Sequence, residues 1–566
     1  MKPFIFKIGG EAGFGIMSSG LNMSKLVSRS GYFSFDYSEY PSIIRGGHNL
    51  MQIVISDEPV RAQYKTTDFL VALNKETIDL HAEELVDGGS LLCDEENKPL
   101  LQKSKKINIF LIPINKIAKE IGGSLLLRNT AALGASIALL GGNLEIFKNL
   151  IAQEFSAKDP KITENNFAVC QAGYDYAKKN YGDKIKNILK PRQSETKMVI
   201  NGNEAISLGA VAAGMQFSAI YPMTPISGIL HSLALLQKKY GFVCKQPEDE
   251  IAAINMAIGA SFAGARSLVA TSGGGFCLMT EAYGLAGMTE TPLVIIEGMR
   301  GAPATGLPTW TEQGDLRMVL HAHHGDFPRI VLAAGDIEEA FHLTMLAFNL
   351  ADKYQTPVVV IVDKQICESH MSIGLFDYKT YKVEVGKLLL KKQDNYKRFA
   401  LSADGISTRS PVGFGNYVMA NSDEHNEYGF SSEEAKNRID QMNKRMQKLE
   451  TCAKNDMSNP VLFGPKDADL TIVSWGSNKG AVLEAIKHFK NVNFLHLTWV
   501  SPFPAVAIKK ALEKARRVLN VECNYSAQMG SLIREKTGIE IKNNLLKYDG
   551  RPFYPEEIIA QIKKVL

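Results

Sequence analysis

Between Tyr221 and Thr309 four polar, turn-forming segments punctuate the chain: Tyr-Pro-Met-Thr-Pro at 221–225, Pro-Glu-Asp-Glu at 247–250, Thr-Ser-Gly-Gly-Gly at 271–275, and Arg-Gly-Ala-Pro-Ala-Thr-Gly-Leu-Pro-Thr at 300–309. Each follows a short apolar run or opens a helical one. Such alternation belongs to an open α/β sheet, whose ligands bind outside the carboxyl ends of the strands. Four loops of this kind, carrying acids, a guanidinium and several hydroxyls, read as one assembled site.

The 566 residues correspond to three or four domains at roughly 150 residues each. A hydrophobic share of 45% and a charged share of 22% are ordinary for a soluble globular protein. With a net charge of +4 and no basic stripe interleaved with aromatics, no nucleic-acid partner is expected. The longest apolar runs, such as Pro357–Val362 and Pro292–Ile296, have the length of buried strands and fall far short of a membrane span. The apolar part of the opening Met-Lys-Pro-Phe-Ile-Phe-Lys-Ile is too short for a signal peptide and reads as a first strand, so the expected location is cytoplasmic. The seven cysteines stand at 93, 170, 244, 277, 367, 452 and 523, none within four residues of another. That spacing offers no ferredoxin-type cluster site, so any iron–sulfur cluster belongs on another chain.

The expected fold class is α/β, in three doubly wound-type domains with an irregular inserted arm. Residues 1–190 begin with a strand at Phe4–Ile8, a glycine turn at Gly9–Gly15 and a helix at Ile16–Ser30, with further strands at Leu50–Ser56, Phe69–Ala72 and Ile107–Ile112. Residues 191–375 hold the small-residue helix Glu250–Ala265 and strands at Ser267–Thr271, Leu293–Glu297, Arg329–Ala333 and Pro357–Asp363. Residues 376–464 are irregular, with a charged helix at Ser431–Cys452 expected to face solvent. Residues 465–566 close the chain with strands at Leu470–Ser474, Val492–Leu497 and Arg517–Val521.

Among the candidate residues, Glu250 opens a helix, where the macrodipole favours a carboxylate. The helix that follows is apolar, so Glu250 is expected to be buried and to need a partner. Arg300 leaves a strand into a loop stiffened by proline, where a guanidinium beside Thr305 and Thr309 suits bidentate capture of a small carboxylate; a structural ion pair is the plain alternative. Tyr221 to Thr224 presents hydroxyls on a backbone held by Pro222 and Pro225. The turn Gly10-x-x-Gly13-x-Gly15 lets backbone N–H groups approach a phosphate, although its order is not the dinucleotide fingerprint. Arg45-Gly46-Gly47-His48-Asn49 adds a cation and backbone donors. His321, His323 and His324 do not share one helix face, so no metal site is expected on this chain.

Taken together, these segments resemble the α subunit of 2-oxoacid:ferredoxin oxidoreductases, with residues 1–190 similar to the family's γ domain fused ahead of it. Glu-Asp-Glu-Ile-Ala-Ala-Ile-Asn-Met-Ala-Ile-Gly-Ala-Ser, Gly-Glu-Ala-Gly-Phe-Gly-Ile, Tyr-Pro-Ser-Ile-Ile-Arg-Gly-Gly-His-Asn, the arm at Asp404–Arg409 and Glu424–Gly429, and Glu522-Cys-Asn-Tyr-Ser also carry the match. The resemblance implies a γ domain, a thiamine-pyrimidine-binding domain and a transketolase C-terminal-like domain. It implies oxidative decarboxylation of a 2-oxoacid, with 2-oxoglutarate first and pyruvate second, to acyl-CoA and CO2, with electrons passed to ferredoxin. Thiamine diphosphate would be shared with a β subunit that holds Mg2+ and an iron–sulfur cluster, in an αβ heterodimer or a dimer of heterodimers. Glu250 would contact the aminopyrimidine, beside Tyr221 and Pro222. Arg300, Thr224 and Thr309 would hold substrate, and Gly13, Gly15 and Arg45 are candidate coenzyme A phosphate contacts. Two positions depart from the family pattern: Ile226 where a serine is usual, and Phe14 where glutamine is common. The alternatives are a non-catalytic scaffold subunit of such a complex and a nicotinamide-dependent dehydrogenase using the N-terminal glycine turn.

Overall fold

A computed structural model describes residues 2–43, 46–97, 105–157 and 159–566. The strands, numbered along the chain, begin with β1 (Phe4–Glu11), β2 (Phe33–Glu39), β3 (His48–Ser56), β4 (Thr67–Ala72), β5 (Leu85–Asp94), β6 (Asn108–Ile112) and β7 (Met198–Asn201). There follow β8 (Phe217–Ala219), β9 (Val243–Lys245), β10 (Ser267–Thr271), β11 (Leu293–Met299), β12 (Ile330–Ala333), β13 (Pro357–Asp363) and β14 (His370–Ile373). The last are β15 (Val461–Phe463), β16 (Leu470–Trp475), β17 (Val492–Leu497), β18 (Trp499–Ser501), β19 (Val518–Glu522) and β20 (Asn543–Leu546). The chain forms two compact units, the first comprising Met1–Ile200, Ser369–Leu375 and Tyr554–Glu556, the second Asn201–Glu368, Phe376–Phe553 and Glu557–Leu566.

The first unit is built on a mixed eight-stranded sheet in the order β6-β5-β4-β1-β3-β2-β14-β7. Strands β1, β4, β5 and β6 run parallel, while β3 lies antiparallel between β1 and β2. Phe6, Phe69 and Phe110 stack in a row across three of the strands, with ring centroids 5.7 and 6.3 Å apart. The helices Arg128–Leu139 and Pro160–Tyr181 cross where both carry glycine. A Cβ on Gly134 would lie 2.1 Å from the Cys170 carbonyl oxygen, and one on Gly173 would lie 2.1 Å from that of Ala131. Only glycine allows backbones this close.

The second unit holds a seven-stranded sheet, β18-β12-β13-β11-β10-β8-β9, parallel except for β18, and a five-stranded one, β15-β17-β16-β19-β20. Every residue of β11 and β13 is buried. Helices must therefore cover both faces of these strands, which explains their unbroken apolar runs. Because β8 to β11 run parallel, the loops that follow them emerge on one edge.

One element departs from its expected setting. The helix Ala435–Asn455 is charged, yet Gln441, Lys444, Arg445, Lys448 and Cys452 on it are buried, so it does not simply face solvent. Lys444 and Lys448 each place Nζ 2.6 Å from a carboxylate oxygen of Glu290, which has 0% exposure, and Arg445 forks onto Glu424 at 3.0 and 2.6 Å. Burial pushes the Glu290 carboxyl up, but Lys444, Lys448 and the Arg398 guanidinium outweigh it and hold the group well below the usual carboxylate range. Burial also lowers the Lys448 ammonium to about 7, against the pull of Glu290. Ion pairing thus substitutes here for an apolar stripe, which hydropathy cannot register.

Candidate active site

Glu250 heads the helix Glu250–Phe262, which follows β9. Asp249 caps that helix by accepting the Ala252 N–H at 2.7 Å, so the Glu250 side chain is not spent on capping. It is 3% exposed, and its Oε1 is buried with no hydrogen-bond partner. A buried acceptor left in this state costs on the order of 1–3 kcal/mol, more if it is charged. Gly275, in the first turn of the helix Gly273–Met288, gives it room: a Cβ there would lie 2.5 Å from Glu250 Oε1 and 2.1 Å from Thr271 Oγ1. The two helices leave apolar side chains exposed at Ile251, Met256 and Leu278. The Glu250 helix is therefore not wholly enclosed, as its apolar composition suggested.

Arg300 leaves the end of β11, and its Nη1 donates to the Thr224 carbonyl oxygen at 2.9 Å, tying the loop after β11 to the one after β8. Burial lowers the guanidinium's pKa, and Asp315 pulls it back up. The loop closes on itself, Gly301 N donating to Trp310 O at 3.1 Å and Leu307 N to Gly301 O at 2.8 Å. This returns Thr309, 4% exposed, to the strand end, while Thr305 stays exposed. Tyr221, Pro222 and Thr224 are half-buried in the loop after β8. Ile226 is fully buried against Gly298 of β11, so it packs on the sheet.

Three buried acids went unnoticed in the sequence. Glu297, two residues before the end of β11, is fully buried and pushed well above the carboxylate range by burial and by the neighbouring Asp315. Burial also raises Asp315, whose carboxylate stands over Gly273, and lifts Asp363 to about 6. An apolar strand with one acid near its end gives no sign of its tertiary neighbours.

In the first unit, Gly13 and Gly15 turn the chain at φ +96° and +72° into the helix Ile16–Arg29, whose N-terminus has no side-chain cap. Ala12 N donates to Gly47 O at 3.0 Å, bringing the two glycine segments together. The Arg128 guanidinium lies 4.0 Å over the Phe14 ring. Arg45 lies outside the described residues. His48 Nε2 is 3.0 Å from His81 Nε2, and His81 Nδ1 is 2.9 Å from Glu84. Burial, helped by His81, lowers His48 to about 4.

Comparison with known proteins identifies the family of the chain. Residues 208–444 match the model described as pyruvate flavodoxin/ferredoxin oxidoreductase, thiamine diphosphate-binding; residues 5–176 match pyruvate ferredoxin/flavodoxin oxidoreductase, and 468–558 match pyruvate:ferredoxin oxidoreductase core domain II. The 2-oxoacid:ferredoxin oxidoreductase subunit alpha of Saccharolobus solfataricus is 34% identical, over 99% of this chain and 97% of that protein. The chain belongs to the 2-oxoacid:ferredoxin oxidoreductase family, as an α subunit. A 2-oxoglutarate synthase subunit of Methanothermobacter thermautotrophicus, 32% identical, aligns over 98% of its own length but only 65% of this chain. A solved 2-oxoglutarate:ferredoxin oxidoreductase from Magnetococcus marinus, with 2-oxoglutarate, coenzyme A and succinyl-CoA bound, superposes with a TM-score of 0.93 at 30% identity, covering 100% of this chain and 99% of that one. No described helix of this α subunit is long and apolar enough to cross a membrane.

Proposed function

We propose that this α subunit, with a β partner, oxidatively decarboxylates a 2-oxoacid to its coenzyme A thioester and CO2, passing two electrons to ferredoxin, with 2-oxoglutarate ahead of pyruvate as substrate. The observation that carries the reading is the buried, unpartnered Oε1 of Glu250 beside two loops joined by Arg300. An acceptor kept in that state fits a ligand N–H, and the aminopyrimidine of thiamine diphosphate offers one. When bound, that cofactor supplies the carbanion chemistry. Glu250 would hold the ring through a proton shared at Oε1, with Tyr221 and Pro222 beside it. Arg300 spends one N–H on Thr224 and has others for the substrate carboxylate. Thr224 and Thr309 would orient the 2-oxo group by their hydroxyls. The relatives named for 2-oxoglutarate support the order of substrates.

Gly13 and Gly15, at an uncapped helix N-terminus, would take a phosphate of coenzyme A. Mg2+ and the iron–sulfur cluster are assigned to the β chain, in keeping with the dispersed cysteines. The exposed apolar residues Ile251, Met256 and Leu278 suit a subunit contact that would close the site and exclude water.

The deciding experiment co-purifies this chain with its β subunit and supplies thiamine diphosphate, Mg2+ and coenzyme A. Each of 2-oxoglutarate, pyruvate and branched 2-oxoacids is then offered, with a viologen dye as acceptor. Coenzyme A-dependent dye reduction is expected. No reduction by a complex with intact clusters and bound cofactor would overturn the reading. Glu250→Gln should lower kcat on the order of 100-fold or more while leaving assembly intact.

A further inference from the structure

Residues 300–315 contain no helix and no strand beyond the single bridge between Gly301 and Leu307, yet they carry Arg300 at one end and Asp315 at the other. A segment of this kind needs external constraint to hold a guanidinium in one place. The constraint comes from elements around the five-stranded sheet. Gln313 is fully buried; its Nε2 donates to the Trp475 carbonyl oxygen at 2.9 Å, and its Oε1 accepts from Asn478 Nδ2 at 2.7 Å and from Cys523 N at 2.9 Å. Its backbone N–H donates to Cys523 O at 2.7 Å, and its carbonyl accepts from Asn524 Nδ2 at 3.1 Å.

The groups that grip Gln313 are themselves fixed. Glu522, fully buried, accepts five hydrogen bonds, from Trp475 Nε1, Asn520, Asn524, Met529 N and Gly530 N, at 2.8 to 3.2 Å. Neighbouring loop residues are held as well: Thr311 N donates to Gly550 O at 3.1 Å, and the Arg551 guanidinium stacks 3.7 Å over Trp310. The fit at Gln313 leaves no slack, because a Cβ on Gly476 would lie 2.3 Å from its Nε2.

We propose that Gln313 is a positioning residue for substrate recognition: clamped by Trp475, Asn478 and Cys523, it sets the loop that presents Arg300 to the 2-oxoacid. This rests on Arg300 being the group that takes the substrate carboxylate. Slack in the loop removes binding that ground and transition states share, so the loss falls on KM rather than kcat.

The test uses the reconstituted complex with β subunit, thiamine diphosphate and coenzyme A. Gln313→Ala and, from the other side of the clamp, Asn478→Ala are compared with wild type by steady-state kinetics and by amide hydrogen exchange. Each should raise KM for the 2-oxoacid roughly tenfold or more while kcat and KM for coenzyme A stay within about twofold. Exchange should accelerate within residues 300–315. An unchanged 2-oxoacid KM in both variants, or an equal rise in KM for coenzyme A, overturns the proposal. If Gln313→Ala yields no folded complex, Asn478→Ala decides by the same readouts. A wild-type complex that turns over no 2-oxoacid would instead remove the functional reading and the substrate role with it, and the exchange data would still report whether Gln313 holds the loop.

Discussion

At the scale of single residues, the site depends on where a side chain is missing. Gly275 borders both Glu250 and Thr271, and an added Cβ would intrude to 2.5 and 2.1 Å from their oxygens. Its φ is not in the left-handed region, and alanine is the better helix former by about 1 kcal/mol. Helix propensity and site geometry therefore oppose each other here. Gly275→Ala should keep a cooperative thermal unfolding transition while kcat falls on the order of 100-fold, close to the effect of Glu250→Gln. Retained activity would mean that the Glu250 carboxylate is not confined as described. The Thr-Ser-Gly-Gly-Gly segment was visible in the sequence, but which of its glycines matters was not, because that depends on a residue from another helix. Glu297, Asp315 and Gln313 escaped sequence reading for the same reason: their environment is assembled from distant strands and loops.

At the scale of elements, apolar runs marked the buried parallel strands well. Ser267–Thr271, Pro357–Asp363 and Val492–Leu497 coincide with β10, β13 and β17, and Leu293–Glu297 stops two residues short of the end of β11. Strands with polar interiors did not stand out. In β2 the residues Ser34, Asp36 and Ser38 are buried, and Asp36 accepts from Ser24 Oγ at 2.9 Å and from the His370 N–H of β14 at 2.7 Å, so polar partners replace the expected alternation. The arm helix follows the same logic through Glu290, which answers two buried ammonium groups. Removing one side of a buried ion pair typically costs about 3–5 kcal/mol. Glu290→Ala should therefore shift the urea unfolding midpoint downward by a corresponding amount and expose the arm to protease. The folded carboxyl lies below its unfolded value, so its contribution is whole at neutral pH and is lost as the medium is acidified through the folded pKa. The variant's stability should accordingly fall less steeply on acidification than that of wild type. An unchanged midpoint would mean that the cluster does not anchor the helix.

At the scale of the whole molecule, the site opens beside the two helices that begin at Glu250 and Gly273, and these leave Ile251, Met256 and Leu278 at 49%, 44% and 51% exposure. Scattered apolar residues on a surface need no explanation, but three on neighbouring helices whose first turns border the candidate cofactor site are placed where a covering subunit would have to sit. Glu250 is already buried by this chain, so what that cover would add is the exclusion of water from a cofactor and substrate bound beside it, keeping the hydrogen bonds proposed there in the low-dielectric surroundings that strengthen them. Substituting Met256→Asp and Leu278→Asp together should leave the isolated chain's circular dichroism and melting temperature nearly unchanged, since both positions are already solvated. The same pair should abolish co-purification with the β subunit, because it buries two unpaired carboxylates in the contact. Val506→Asp, at 84% exposure on the helix Ala505–Lys514, supplies the control and should co-purify normally. Co-purification undiminished by the double substitution would place the partner on another face. The bound cofactor would then have to be shielded from water by this chain alone, and the division of the active site between two subunits would have to be given up.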